Sequence, residues 1–542
     1  MMSVKPCRIA AFVIAALAPC ASTLAAQSDE ARSLNELRNT VVNLLQTLVE
    51  RGIVTREQAE GMVSAAQKKA EADAAALAAQ DVAEAGAVRV QYVPEVVKEE
   101  LRKQVAAELA PQVTKEVVEQ AQSEQWGVPA ALPDWIRRVR WSGDARVRAQ
   151  GDLYATDNLQ DSYLDFLAVN DRGGIGRAGL AAFLNTTQDR NRLRARLRLG
   201  LDAELGWGWS LGTRLASGNL RDPVSTNQSL GNTGARYQTG FDLAYVKWYG
   251  NSSTGRHVLN FSAGRQPNPW LGTELVWDPD LTFEGLTTNY RLGLKRDDPY
   301  SHFAFVTLGA FPLQEVELST EDKWLYGAQL GLDWKFAGGS RARLGVAYYY
   351  YDNIVGQRNT LDSPLLDFTA PQFLQRGNTL YDIRNDNDPN TELFALVADY
   401  HLADVTLSVD WRLSSLYRVS LVADYVDNIG FDEAEVATRT GPVEGHTKGY
   451  QAELSFGTSS LAMSGGWRAM FGYRYLERDA VLDAFTDSDF HLGGTDAKGY
   501  YIGADYAFTP RVFARLRYLS ANEIDGAPLG IDVVQLDLNA AF

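Results

Sequence analysis

The sequence predicts an all-β fold, a transmembrane antiparallel β-barrel of about sixteen strands, preceded by an α-helical segment. Three observations predict it. From residue 136 to the end, apolar and polar residues alternate with period two. The connections between alternating segments are by turns long and short. Ahead of residue 136 the period becomes helical.

The composition narrows the field. The chain has 542 residues, 45% hydrophobic and 22% charged, with a formal net charge of −16. Beyond the N-terminus no stretch approaches the roughly 18 to 20 consecutive apolar residues of a spanning helix, which excludes a helical membrane protein. With 68 acidic against 52 basic residues, phosphate is repelled on average, so nucleic acid is not an expected partner.

Residues 1–26 read as a secretory signal peptide: Lys5 and Arg8 precede the apolar run Ile9 to Ala18, and small residues lead to Ala25 and Ala26, after either of which cleavage is expected. A lipoprotein signal acylated at Cys20 is the competing reading, weakened by Pro19. Cys7 and Cys20 both lie in this segment, so the mature chain is expected to carry no disulfide and no Cys-ligated metal.

Residues 27–135 read as helical. Leu34, Leu37, Val41, Leu44 and Leu48 are spaced three and four apart, Gly52 offers a stop, and Thr55 with Gln58 forms a capping box for a second helix running to about Gln80. Val93, Val97, Leu101, Val105, Leu109, Val113, Val117 and Ala121 then recur every four residues, with a kink expected at Pro111. A helical hairpin packed on its own chain and a self-associating coiled-coil stalk both fit this stripe.

Residues 136–542 form the expected barrel. Val139, Trp141, Gly143, Ala145 and Val147 alternate with Arg138, Arg140, Ser142, Asp144, Arg146 and Arg148; Leu193, Ala195, Leu197 and Leu199 alternate with Arg192, Arg194, Arg196 and Arg198. No second layer is evident to cover these apolar faces, so they are assigned to lipid and the polar faces to a lumen. Strands are expected near 138–150, 190–204, 207–218, 238–250, 256–265, 280–295, 301–311, 323–336, 341–353, 391–411, 416–427, 448–457, 465–477, 497–508, 511–521 and 531–542. Long connections include 151–189, 219–237, 354–390, 428–447 and 478–496, against turns as short as 509–510. Thr391 to Trp411 is read as one strand, with a hairpin at 402–404 as the alternative. Aromatics such as Trp209, Trp248, Trp334, Trp467 and Tyr475 fall near strand ends, as interfacial girdles require. The last strand ends on Phe542.

At these residues the chain resembles a family of Gram-negative outer-membrane porins that carry a periplasmic helical segment before the barrel. The resemblance rests on Gln125-Trp126-Gly127-Val128-Pro129 through Pro133-Asp134-Trp135, on Ser142 to Arg148, on Gly264-Arg265-Gln266-Pro267-Asn268-Pro269-Trp270, on Leu275-Val276-Trp277-Asp278-Pro279-Asp280-Leu281-Thr282-Phe283-Glu284-Gly285, and on Phe542. It implies a channel in the outer membrane among lipid and lipopolysaccharide, a homotrimer, a helical segment in the periplasm, and a terminal Phe542 recognised by the assembly machinery.

In such a barrel function reduces to lumen shape and charge. Arg138, Arg140, Arg146, Arg148, Arg192, Arg194, Arg196 and Arg198 on the first two strands, joined by Arg515 and Arg517, form an expected basic wall. The loop after the fifth strand carries Glu274, Asp278, Asp280 and Glu284 beside Pro267, Pro269, Trp270 and Pro279, a composition suited to an inward-folded constriction. The expected device is an acidic loop facing the arginines across the passage for small polar solutes and ions. The arginines could equally serve to pair with Asp537 and other barrel acids.

Enzyme chemistry is not expected. Gly174-Ile175-Gly176-Arg177-Ala178-Gly179 matches GxGxxG but follows no buried strand. His257, His302, His401, His446 and His491 show no metal-ligand spacing, and Asp386, Asp388 and Asn390 lack the rest of a calcium loop. No catalytic residue, cofactor or metal is assigned. The alternative function is a structural tether, in which the helical segment binds peptidoglycan or another periplasmic partner and the barrel is its anchor.

Overall fold

Alternation along the chain becomes a closed wall. The computed structural model describes residues 138–542 apart from positions 318 and 389; the expected signal peptide and the helical segment of 27–135 lie outside the described residues. Sixteen long strands close an antiparallel barrel. They are β1 (Val139–Tyr154), β2 (Arg190–Gly206), β3 (Trp209–Ser217), β4 (Thr239–Asn251), β5 (His257–Pro267), β6 (Thr282–Gly293), β7 (His302–Gln314), β8 (Lys323–Lys335), β9 (Arg341–Asp352), β10 (His401–Arg412), β11 (Tyr417–Asn428), β12 (Lys448–Thr458), β13 (Trp467–Leu476), β14 (Ala497–Thr509), β15 (Val512–Glu523) and β16 (Gly530–Ala541). Each strand pairs with its sequence neighbours, and β1 closes on β16 from Asp144↔Ala541 to Tyr154↔Ile531. Closure satisfies every strand edge, the requirement that hydrocarbon imposes on backbone N–H and C=O groups.

The two faces sort as lipid and lumen demand. On β8, Leu330 is 63% exposed and Leu332 47%, while Gln329 and Asp333 flanking them are 1% and 3% exposed. Aromatics collect at both rims: Trp209, Trp334, Trp411 and Trp467 at the short-turn end, and Tyr326, Tyr425, Tyr450 and Tyr475 at the long-loop end, where the Tyr450 and Tyr475 rings stack 5.1 Å apart. Phe542 closes the last strand on the first, its N–H donating to Gly143 O (3.0 Å) and its carbonyl accepting from Gly143 N (3.1 Å).

One expected strand is shorter than its sequence suggests. Thr391 to Trp411 is not one strand: the barrel strand begins at His401, with no hairpin at 402–404, and residues 391–400 belong to a loop whose Phe394–Leu396 pairs with Leu380–Asp382 inside the barrel mouth. The reason is burial on all sides. Ala395, Leu396, Val397 and Tyr400 are fully buried, which a strand with a lipid face and a lumen face cannot offer.

Three long connections, 268–281, 353–400 and 477–496, fold into the barrel and share an apolar core with its inner wall. Trp270, Leu275 and Trp277 from the first, Val397 and Tyr400 from the second, and Val481 and Leu482 from the third pack on Phe311, Leu325 and Tyr349 of the wall. Gly327 makes room, since a Cβ there would stand 2.5 Å from Trp270 Cζ2.

Candidate functional site: an arginine wall and two inward loops

The register of β1 on β2 places like charges opposite one another. Arg146 pairs with Arg196 and Arg148 with Arg194, while Asp144 faces Arg198. Directly opposed like charges are unfavourable, so the wall depends on carboxylates brought from elsewhere. Asp144 supplies one from the same strand, 2.9 Å from Arg196 and 2.7 Å from Arg198. Asp537 on β16, level with Arg148 across the closing seam, accepts from its Nε at 2.7 Å. The other acids come from loops.

The 268–281 loop is pinned on one side and charged on the other. Trp270 and Trp277 lie edge-on to Tyr349 at 5.2 and 5.0 Å. Gln329 both accepts from Leu271 N (2.9 Å) and donates to Leu271 O (2.7 Å), and Thr273 donates its N–H (3.1 Å) and hydroxyl (2.6 Å) to Asp424. So anchored, the loop carries Asp280 to Arg196 and Arg198, both at 3.1 Å, and Glu274 to Arg474 (3.4 Å) and Arg517 (3.6 Å). Asp278 turns away from the arginines: it accepts from Asp280 N and Ser488 N, and burial, with the Asp487 and Asp280 carboxylates nearby, pushes its carboxyl well above the usual range.

The 477–496 loop adds a second set. Asp489 lies 2.6 Å from Arg148 and 4.0 Å from both Arg194 and Arg517. Against the opposing effect of burial, Arg148 and Arg517 hold its carboxyl well below the usual range. Asp487 stands 3.2 Å from Arg474, yet burial and the Glu274 carboxylate push it up to about 6.

The predicted residues therefore divide. Arg146, Arg148, Arg194, Arg196, Arg198, Arg517, Glu274 and Asp280 share one cluster. Arg192 sits at the outer end of the same wall on Asp152 (2.6 Å), and Arg515 toward the opposite end on Asp505 (2.6 Å). Arg138 and Arg140 do not join: β1 starts at Val139, leaving both exposed at the short-turn rim, where Arg140 meets Glu204 at 2.7 Å. Glu284 does not join either, because β6 begins at Thr282 and sets Glu284 opposite Arg265, its partner at 2.8 Å. Instead of facing the arginines across open space, Asp280 and Glu274 touch them. Within the cluster Arg146 has no carboxylate in salt-bridge range among the described residues; its guanidinium donates to Asn227 at 2.6 Å.

Arg474, Asp487 and Asp489 are members that sequence reasoning missed. For Arg474 the signal was present, since it alternates with the outward Tyr473 and Tyr475. The GxGxxG segment forms a single helical turn, Ile175–Ala178, between Gly174 and Gly179, and its Ile175 N–H donates to the Glu392 carboxylate at 2.8 Å.

The model of the family described as "Putative porin" matches residues 38–542. No curated protein matches the chain. Among solved structures it is similar to OprB of Pseudomonas putida at high pH, with 13% identity over 75% of this chain and 95% of that one and a TM-score of 0.41. It is also similar to the outer membrane channel DcaP of Acinetobacter baumannii (13% identity, 74% and 97% covered, TM-score 0.38) and to Salmonella typhi OmpF in complex with daunomycin (12%, 74% and 97%, 0.38).

Proposed function

The chain belongs to this family of outer-membrane porins, and from that premise we propose that it passes small polar solutes and ions by passive diffusion, with selection at the arginine cluster. The observation that carries the reading is the bridging of the wall by loop acids: Asp280 on Arg196 and Arg198, and Glu274 on Arg474 and Arg517. Such a cluster narrows the lumen and lines it with both signs of charge, which favours polar solutes and orders water near them. Arg146, without a carboxylate partner, and Arg194, with its nearest at 4.0 Å, leave the wall with positive charge to spare on the β1–β2 side. Phe542 serves as the assembly signal, and the chain assembles as a trimer. The experiment is planar-bilayer recording of Arg194, Arg196 and Arg198 changed together to Gln: ion selectivity should move toward cations and size exclusion should relax. Unchanged selectivity and exclusion would remove these residues from the filter.

A further inference from the structure

A second site lies above the constriction, at the outer ends of β5 to β9. It is a cavity of about 740 Å³, within the roughly 300 to 1,000 Å³ range of small-molecule sites. Polar and apolar side chains share its lining; the apolar part is built from Leu281, Phe283, Phe311, Leu325, Leu482 and Phe485, with the Phe283 and Phe311 rings 5.0 Å apart. Segments 367–373 and 167–171 complete its rim.

Its charges do not cancel. Six ionisable side chains line it: Asp171, Arg221, Arg265, Glu284, Lys323 and Asp367. Asp171 is held by Arg221 at 2.8 Å, Glu284 by Arg265 at 2.8 Å, and Asp367 by Arg384, from outside the lining, at 2.8 Å. Only Lys323 has no ionic partner among the described residues. It is 3% exposed, and its ammonium donates to two backbone carbonyls, Thr369 O (3.0 Å) and Ala370 O (2.9 Å). An ammonium has three donors, so one donor and one full charge are left over. Carbonyl dipoles do not neutralise a buried charge, and buried charges in proteins are ordinarily paired.

We infer that this cavity binds a monocarboxylate with an apolar body, its carboxylate on Lys323 and its body against the Phe283, Phe311 and Phe485 wall. One unpaired cation calls for one negative charge. A small hydrated anion would gain nothing from the aromatic wall, and a neutral apolar solute would leave the ammonium unpaired. The site stands outside the loop-to-arginine cluster, so binding to it is measurable whether or not that cluster selects ions.

The test is calorimetric titration of the full-length protein in detergent micelles with 4-phenylbutyrate and its neutral isostere 4-phenylbutanamide. The carboxylate should bind at least about tenfold more tightly, as a charge-assisted hydrogen bond in a desolvated site implies. Lys323→Met should bring the carboxylate down to the amide's affinity and leave the amide unchanged. Phe373→Ala, on the rim, should weaken both probes together. Equal affinities of the two probes for the natural protein overturn the assignment without recourse to any variant, and so does Lys323→Met that still prefers the carboxylate. Acetate binding as tightly as phenylbutyrate overturns the role given to the apolar wall.

Discussion

Replacing Asp280 by Asn isolates the charge that the 268–281 loop delivers to the wall. Asp280 is 11% exposed at its side chain, and its Oδ1 stands 3.1 Å from both Arg196 and Arg198, while Oδ2 accepts from Thr226 Oγ1 at 3.2 Å. In this corner Asp144 and Asp280 balance two guanidiniums; the substitution leaves one carboxylate for two. Breaking one partner out of a largely buried pair costs about 3 to 5 kcal/mol locally, spread over a barrel whose strands remain fully bonded, so assembly should survive. The larger effect is on permeating ions. One added positive charge acting on an ion about 6 Å away, in a medium of effective dielectric about 40, changes its barrier by about 1.4 kcal/mol. Screening over a Debye length of about 10 Å at 0.1 M salt reduces this to about 0.8 kcal/mol. Cations and anions shift in opposite directions, so the anion-to-cation permeability ratio should rise about tenfold. In planar bilayers under a tenfold KCl gradient the zero-current potential should move toward the chloride limit by tens of millivolts, within the roughly 59 mV a monovalent ion allows. An unmoved potential in a correctly assembled barrel refutes the placement of Asp280 beside the ion path.

Four further outcomes follow from the same structure. Asp487, its carboxyl raised to about 6, gains a proton as pH falls through that value; the cluster loses a negative charge, and anion preference should rise between about pH 7 and pH 5, whereas Asp487→Asn should give a flat profile there. Because this is a carboxyl raised above its unfolded value, protonation also favours the folded state, so the loop's contribution to stability should increase as pH falls from about 6 toward 4, read by thermal unfolding. Leu330→Arg puts a charge at the middle of β8 on the lipid face and should destabilise the barrel by about 2 to 4 kcal/mol in reversible unfolding from lipid vesicles. Phe542→Ala keeps the backbone pair with Gly143, so refolded protein should lose no more than about 1 kcal/mol, while the amount assembled in outer membranes should drop several-fold; equal yields would remove Phe542 from assembly.

The barrel was legible because a strand between lipid and lumen must alternate, and nothing else in the chain does so for long. β8 shows it: Tyr326, Leu330 and Trp334 face out, Gln329 and Asp333 in. The misreading at Thr391 to Trp411 has the same origin. From Val405 to Trp411 the chain alternates, but Leu393 to Ala398 is apolar without interruption. An uninterrupted run is the mark of a segment buried on both faces, here within the inward loop, and the break in period at His401 was the boundary.

The arginine cluster was half legible for a different reason. Composition singled out the arginines of β1 and β2 and the acids near Trp277, and of those acids Asp280 meets those arginines. What periodicity does not carry is the path of an irregular loop. That path is decided by where its apolar residues find a wall: Trp270 and Trp277 on Tyr349, with Gly327 leaving the space. Once those rings are seated, the remaining span leaves Asp280 in reach of Arg196 and Arg198, and Glu284, already in the strand, out of reach. The same logic hides Asp487 and Asp489, whose positions depend on Val481 and Leu482 entering the core that the other two loops have built. Charge complementarity at this site is thus a consequence of apolar packing three to ten residues away, and an apolar truncation such as Trp277→Ala should disturb ion selectivity though it removes no charge.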